Sequence, residues 1–311
     1  MRRIPLPAAL AAAVVLALPL AAQERSAPPA RSADSMIFVM GTGSYTPPDL
    51  PLPEKNARFI DPNFHTTLYR MTDRMADGYS GPGIQNEYAK ADPENADGSL
   101  VILRGNDGEW YLYDRASSAP VSALTVFHEG NQEPEPRWDP QDPNRFFFLR
   151  NLSLCAYDIA RDSAWTVHDF STEFPGAFLI TTGTEGDASL DRRRWAFMVV
   201  DSLFTTMSLA VYDRTADAVI GRKDGGFPDA INWVGMSMSG AYCVVGYDSL
   251  LSPEVFTADL GRSWMLTEGS NGHGDLALDA SGRDVLVYQN VRTDFIAMSD
   301  LETGAETPLV E

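Results

Sequence analysis

From about residue 90 onward, short apolar runs of four to six residues alternate with clusters of turn-forming residues, and no stretch carries the periodicity of a long amphipathic helix. Each unit opens with an Asp or Ser and a turn. It continues through an apolar run and a polar break, then ends a second run at an Asp before another turn. The opening marker falls at Asp92, Asp139, Asp191, Ser237 and Asp279, spaced 47, 52, 46 and 42 residues apart. The closing marker falls at Asp114, Asp158, Asp213, Asp259 and Asp300, which follow the first by 22, 19, 22, 22 and 21 residues. Two series that keep step over five units define a repeat.

The turns carry Asp97-Gly98, Pro143-Asn144, Asp191-Arg192 and Ser239-Gly240, residue pairs that tolerate tight reversals, so each unit predicts four short antiparallel strands. The runs 100–103, 146–149 and 285–288 are apolar at every position, as a sheet covered on both faces requires. A lone four-stranded sheet cannot cover its own two faces. The units must therefore pack radially around an axis, which makes the fold an all-β β-propeller of four-stranded blades. Asp61 extends the closing series to 53 residues before Asp114, so 59–73 reads as the outer half of a first blade. Six blades are expected, the first completed by the apolar run 36–40, or seven if the chain continues past Glu311.

Upstream of the repeats, Arg2 and Arg3 precede an apolar segment over residues 6–20, and Leu20-Ala21-Ala22 offers a small-residue cleavage site. Residues 1–22 read as a secretory signal, which places the mature protein in the periplasm or outside the cell. Residues 23–58, with Pro47, Pro48, Pro51 and Pro53, read as an arm or linker, and 59–311 as the propeller. No later stretch reaches the length of a membrane span. The formal net charge is −19, and losing the signal's two arginines makes it more negative. A polyanion meets net repulsion, which excludes nucleic acid as the natural partner. Arg192, Arg193 and Arg194 form a dense basic run, at a position where a hairpin turns, so they read as a solvated turn. Export would permit a disulfide, but Cys155 and Cys243 fall in units separated by another unit and read as small buried hydrophobes. The chain is expected to be a monomer.

The S/D-x-D/S-G turn, the apolar run and the following Asp-x-x-T/S-G resemble the repeats of TolB and WD40-like propellers over about residues 59–311. The opening Phe59-Ile60-Asp61-Pro62 with Tyr69-Arg70-Met71-Thr72-Asp73 is similar to the start of secreted propellers that include oligogalacturonate lyases. That likeness implies a polysaccharide lyase as one reading of the function. A fold of this kind hosts many unrelated activities, so a site must carry the argument.

In a propeller the innermost strands share one channel. Reading back four positions from the opening marker gives Tyr88, Glu135, Asp187, Trp233 and Asp275; reading back six gives Asn86, Glu133, Glu185, Ile231 and His273. This collection is acidic and aromatic where small residues would close a structural channel, and Glu87, Arg137, Trp138 and Asn232 lie beside it. Three chemistries fit. Glu133, Glu135, Glu185, Asp187 and Asp275 could relieve their mutual repulsion on a hard cation such as Ca²⁺. Asn86, Glu87, Trp138, Asn232 and Trp233 could hold a glycan through ring faces and hydrogen bonds. His273 and Tyr88 could serve as base and acid in an elimination from a uronate, with Arg137 neutralising the substrate carboxylate. A lyase metal site usually gathers histidines, and His65, His128, His168 and His273 show no metal-ligand spacing.

Two other motifs fail. Gly235 to Gly240 superficially resembles a nucleophile elbow, but its second glycine is displaced and the segment is a β-hairpin. Asp92 to Gly98 resembles a calcium loop, yet Arg104 stands where a bidentate Glu belongs. The expected function is an exported propeller that binds a glycan or peptide at the channel mouth. A lyase or hydrolase at that mouth, and a protein-interaction scaffold, are the alternatives.

Overall fold

The computed structural model describes residues 52–61, 66–79, 81, 83–249, 252–266 and 270–310. The chain first forms a two-stranded hairpin, β1 (Arg58–Ile60) and β2 (Thr67–Tyr69). Blade 1 follows as β3 (Ile84–Gln85), β4 (Leu100–Gly105), β5 (Trp110–Asp114) and β6 (Ala119–Ala123). Blade 2 holds β7 (Arg137–Trp138), β8 (Arg145–Arg150), β9 (Ser153–Asp158) and β10 (Ser163–Asp169). Blade 3 holds β11 (Leu179–Thr181), β12 (Arg194–Val200), β13 (Thr206–Asp213) and β14 (Ala218–Asp224). Blade 4 holds β15 (Ile231–Met236), β16 (Tyr242–Tyr247), β17 (Glu254–Thr257) and β18 (Ser263–Met265). Blade 5 holds β19 (Ser270–Leu278), β20 (Asp284–Asn290), β21 (Phe295–Asp300) and β22 (Glu306–Val310). Every blade is a four-stranded antiparallel meander in sequence order.

The repeated Asp markers are the turn builders. Asp114, Asp158, Asp213 and Asp300 each accept backbone N–H groups two or three residues on, closing the hairpin into the outermost strand. Four residues after each of these stands Ser118, Asp162, Asp217 or Gly304, all with positive φ, the conformation such a bulged turn needs. Asp139, Asp191 and Asp279 do the same at the inner hairpins.

Alternating residues of one strand feed two different cores, which is why the apolar runs have no polar face. Phe146 and Phe148 of β8 pack with Trp110 and Trp138 between blades 1 and 2, whereas Phe147 and Leu149 pack with Trp195 and Phe197 between blades 2 and 3. β12 divides likewise, and so does β16, sending Val244 toward blade 5 and Val245 toward blade 3. Cys155 and Cys243 are fully buried free thiols in separate cores, as small hydrophobes.

The described residues form five blades, which corrects the expectation of six or seven. The described part of 59–73 forms no half-blade. Among the described residues its hairpin pairs only with itself, and the residues after it lie against the free face of blade 1. There Met71, Tyr79 and Ile84 cover Val101, Leu103, Tyr111 and Tyr113. Lys55 pairs with Asp77, which also accepts the Tyr113 hydroxyl at 3.2 Å. Asp61 matched the closing series because it too ends a strand, without a blade around it. The run 36–40 and the signal-like segment lie outside the described residues. No helix among the described residues is long and apolar enough to cross a membrane.

Candidate functional site

The inner segments of the five blades bring the expected positions toward one axis, and the residue that joins them is Lys90. Its Nζ lies 2.6 Å from Glu185 Oε2 of blade 3 and 4.8 Å from the ring centre of Trp233 in blade 4. Its charge also acts on Asp275 of blade 5. Tyr88, on the same inner segment, lies near Glu185, and burial together with that carboxylate pushes its phenol upward. Asn86 is exposed and donates its amide to the Tyr88 carbonyl at 2.9 Å. Lys90 stands two positions before the opening marker Asp92, so the marker series itself points to it.

Arg137, expected to face a substrate carboxylate, is instead a buried strut, 4% exposed. Its guanidinium donates to the Gly186 carbonyl at 3.0 Å, to Thr184 O at 3.1 Å and to Glu87 Oε2 at 2.8 Å, tying blades 1, 2 and 3 together. Burial raises the Glu87 carboxyl to about 7 against the lowering pull of Arg137. The other oxygen of Glu87 is buried without a protein partner, beside a cavity of about 10 Å³ between Pro93, Trp110 and Trp138, room for one water.

Neither tryptophan is a sugar platform. Trp138 is 5% exposed and donates its indole N–H to Pro93 O at 2.8 Å, joining blades 1 and 2. Trp233 is buried over Gly246, where a Cβ would stand 2.1 Å from the indole nitrogen. At Asn232 the inner segments of blades 3 and 4 touch, since a Cβ on Gly183 would lie 2.2 Å from the Asn232 carbonyl.

Four of the five carboxylates expected to hold a cation are held by protein groups instead. Glu133 pairs with Arg104. Glu135, with φ 47, turns into the seam between blades 2 and 3 and accepts the Thr182 N–H at 3.0 Å, the Thr181 hydroxyl at 2.5 Å and the Thr182 hydroxyl. Glu185 holds Lys90, and Asp187 holds Arg192 at 2.7 Å with Arg137 at 3.7 Å. Among the described residues no three His, Cys, Asp or Glu side chains converge as metal ligands, so a Ca²⁺ site of this composition does not fit. Glu133, Glu135, Glu185 and Asp187 each have a cation or a set of donors, which offsets much of the repulsion that a metal was invoked to relieve.

What stays open to solvent is a smaller set. Asp275 and His273, two residues apart on β19, are exposed, as is Asn86 in blade 1. Partial withdrawal from water raises the Asp275 carboxyl above the usual range; the Leu276 N–H and Lys90 oppose this, and Asp187 adds to it. The Arg192, Arg193 and Arg194 run sits at the β11 to β12 turn as expected but is tied down. Arg192 also reaches Trp138 O at 2.9 Å, Arg193 reaches Asp213, and Arg194 reaches Gly240 O. His128 meets Glu109 at 2.7 Å, and His168 lies in the outer strand β10 between Asp217 and Glu173. His65 lies outside the described residues.

No family model matches the sequence, and no curated protein matches it. Among solved structures, the chain is similar to an oligogalacturonate lyase in complex with manganese, with a TM-score of 0.52 and 12% identity, over 82% of this chain and 84% of that one. A likeness at that identity establishes the shared propeller fold.

Proposed function

We propose that this protein is an exported propeller that binds a neutral or amino-bearing glycan at the mouth of its central channel. The observation that carries the reading is the cluster at Lys90 of blade 1, which meets Glu185 of blade 3 and Trp233 of blade 4 and acts on Asp275 of blade 5, with Asp275, His273 and Asn86 exposed. A channel that serves structure alone is closed most cheaply by small or apolar residues, because every charge withdrawn from water costs desolvation energy. Here donors and acceptors alternate around an opening, the arrangement that sugar hydroxyls use in both senses. Carboxylates outnumber cations at the opening, which disfavours a polyanionic ligand.

Calorimetric titration with a neutral oligosaccharide and a glucosamine oligosaccharide tests this. Binding is expected for at least one, with Lys90→Met and Asp275→Asn each weakening it at least tenfold while circular dichroism stays that of the folded protein. Binding that ignores both substitutions, or is seen with neither sugar, overturns the reading.

Elimination or hydrolysis at the same mouth is the second reading, and His273 with Asp275 favours it. An exposed imidazole next to a carboxyl raised above its usual range is a pair able to pass a proton. The similar structure is that of a lyase, and its manganese has no counterpart group among the residues described here. Release of an unsaturated uronide from oligogalacturonate, followed by ultraviolet absorbance and lost in His273→Ala, is the expected sign; no release excludes that lyase activity.

A further inference from the structure

A second candidate site lies on the face of the ring where β15 begins, with Ile231 but none of Lys90, Glu185, Trp233 or Asp275 in its lining. The β12 to β13 turn and the connection from β14 to β15 enclose a cleft of about 550 Å³ between blades 3 and 4, lined by Phe204, Thr205, Gly226, Phe227, Asp229 and Asp248. Its volume is that of an ordinary ligand pocket.

Phe204 is held in an uncommon state for its type. Its φ is 60, a left-handed conformation that a bulky side chain rarely adopts, and its ring is 67% exposed. Asp201 enforces the turn by accepting the Leu203 N–H at 2.8 Å and the Thr205 N–H at 2.9 Å, while the Phe204 N–H donates to the Asp201 carbonyl. Phe178 meets the Phe204 ring edge-on, with centroids 5.9 Å apart, and Leu203 beside it is 81% exposed. One side chain thus bears both a backbone strain and an unfavourable exposure, the combination that collects at ligand clamps.

The wall opposite is acidic. Asp229 accepts the Ser249 and Ala230 N–H groups and the Ser249 hydroxyl, which hold its carboxyl below the usual range and therefore charged. Asp248 makes no side-chain hydrogen bond or ion pair among the described residues. Lys223 is the cation nearby, with its Nζ 5.8 Å from the Phe227 ring centre, so that ring already receives an ammonium. Gly225 and Gly226, at φ 54 and 68, leave the backbone between these groups uncovered by side chains.

We propose that this cleft binds an extended segment of a partner protein that presents a lysine or arginine beside an apolar side chain. The exposed rings supply apolar area for the second and the two carboxylates recognise the first. The chain's net charge of −19 steers such a basic segment toward it. Phenylalanine rings carry no hydrogen-bonding group for a sugar, which makes a glycan the less suited occupant.

The test uses the full chain and three dye-labelled hexapeptides, one alternating Lys and Phe, one Glu and Phe, one Lys and Ser, with a neutral oligosaccharide as competitor. Fluorescence anisotropy is expected to show the Lys–Phe peptide binding at least tenfold more tightly than the other two. Phe204→Gly should weaken that binding at least tenfold while keeping or raising the melting temperature, because glycine accepts φ 60 freely. Phe204→Asn, also tolerant of this conformation, gives the same readout if the glycine variant is poorly produced. Asp248→Asn should weaken binding about threefold and flatten its salt dependence. Lys90→Met should leave it unchanged, which separates this site from the channel. Equal binding of all three peptides, no binding of any, wild-type affinity in both Phe204 variants, or displacement by the oligosaccharide overturns the proposal.

Discussion

Blade 3 and blade 5 are built from the same four-strand meander, yet they stand in different surroundings. The seam between blades 2 and 3 is sealed by an apolar cluster in which Phe147, Phe170, Phe197 and Tyr212 are at most 1% exposed. Arg137 and Glu135 lock its inner edge with hydrogen bonds that cross from blade to blade. The side of blade 5 turned away from blade 4 carries the cross-strand pairs Val287 with Met298 and Gln289 with Ile296, and Ile296 remains 39% exposed. No apolar cluster joins blades 5 and 1 among the described residues. They face one another at the axis, where Lys90 acts on Asp275, while blade 1's own free face is covered by Met71 and Tyr79. Identical local structure therefore does not imply equal stability: what a strand contributes depends on whether its second face finds a partner.

The sharpest way to break that contrast is a cavity in the sealed seam. Phe197→Ala removes a fully buried ring that touches Phe170 and Trp195, and should cost about 3–5 kcal/mol in chemical denaturation. A loss under about 1 kcal/mol would mean that the seam is not the main anchor of the ring.

Next in size is a pH effect seated at the inner edge of that anchor. Glu87 is raised to about 7 by burial, so the folded state holds its proton between about pH 4.5 and 7 while the unfolded chain has released it. Stability from this group is therefore present at pH 4 and is lost as pH rises toward 7, by about 3 kcal/mol at most. Asp213, lowered to about 2 by its hydrogen bond from Arg193, acts in the opposite sense below pH 4 and does not mask the window. Glu87→Gln keeps an acceptor for Arg137 and should flatten the slope, making the variant the more stable protein at pH 8. Parallel pH profiles for the two proteins would refute the assignment.

Smaller again is Phe204→Gly on blade 3's rim, expected to raise stability by about 1 kcal/mol by removing the left-handed strain of a non-glycine residue. Because it lies outside the buried seam, it should leave the pH profile untouched.

The repeat was legible because the residues that set it are local. Asp markers two or three residues from the N–H groups they accept, and apolar runs of fixed period, write the blade directly into the chain. The blade number was not legible, because Asp61 ends a strand as a blade's Asp does, and only its lack of partner strands tells them apart. The axis was half legible. Counting back from the markers found Glu185, which meets Lys90, and Asp187, which meets Arg137, with Tyr88 near Glu185 and Asp275 within the influence of Lys90. Side-chain type then misled: Trp138 and Trp233 read as platforms but are packed, and Arg137 reads as a substrate clamp but braces backbone carbonyls of the next blade. Which side of a strand is buried depends on segments about 50 residues away. Phe204 gave no signal at all, since its strain is a property of φ.

The smallest predicted effect is the one that tests the comparison itself. Ile296→Ala removes three carbons from the outer face of blade 5, where 39% of the residue already meets water and no apolar cluster covers it. Transfer and cavity terms both shrink when the site is open, so the loss should stay within about 0.5–1 kcal/mol, against several for Phe197→Ala on the same ring. Amide exchange sharpens the result. If blade 5 is anchored only through Trp233, Leu286 and Tyr288 on its blade 4 side, its β21 and β22 amides should exchange through a local opening at a free energy below that of β12. Ile296→Ala should speed those amides and leave β12 unchanged. Uniform protection across β12, β21 and β22, moved together by Ile296→Ala, would instead mean that blade 5 opens only with the whole ring and that its uncovered face carries no special weakness.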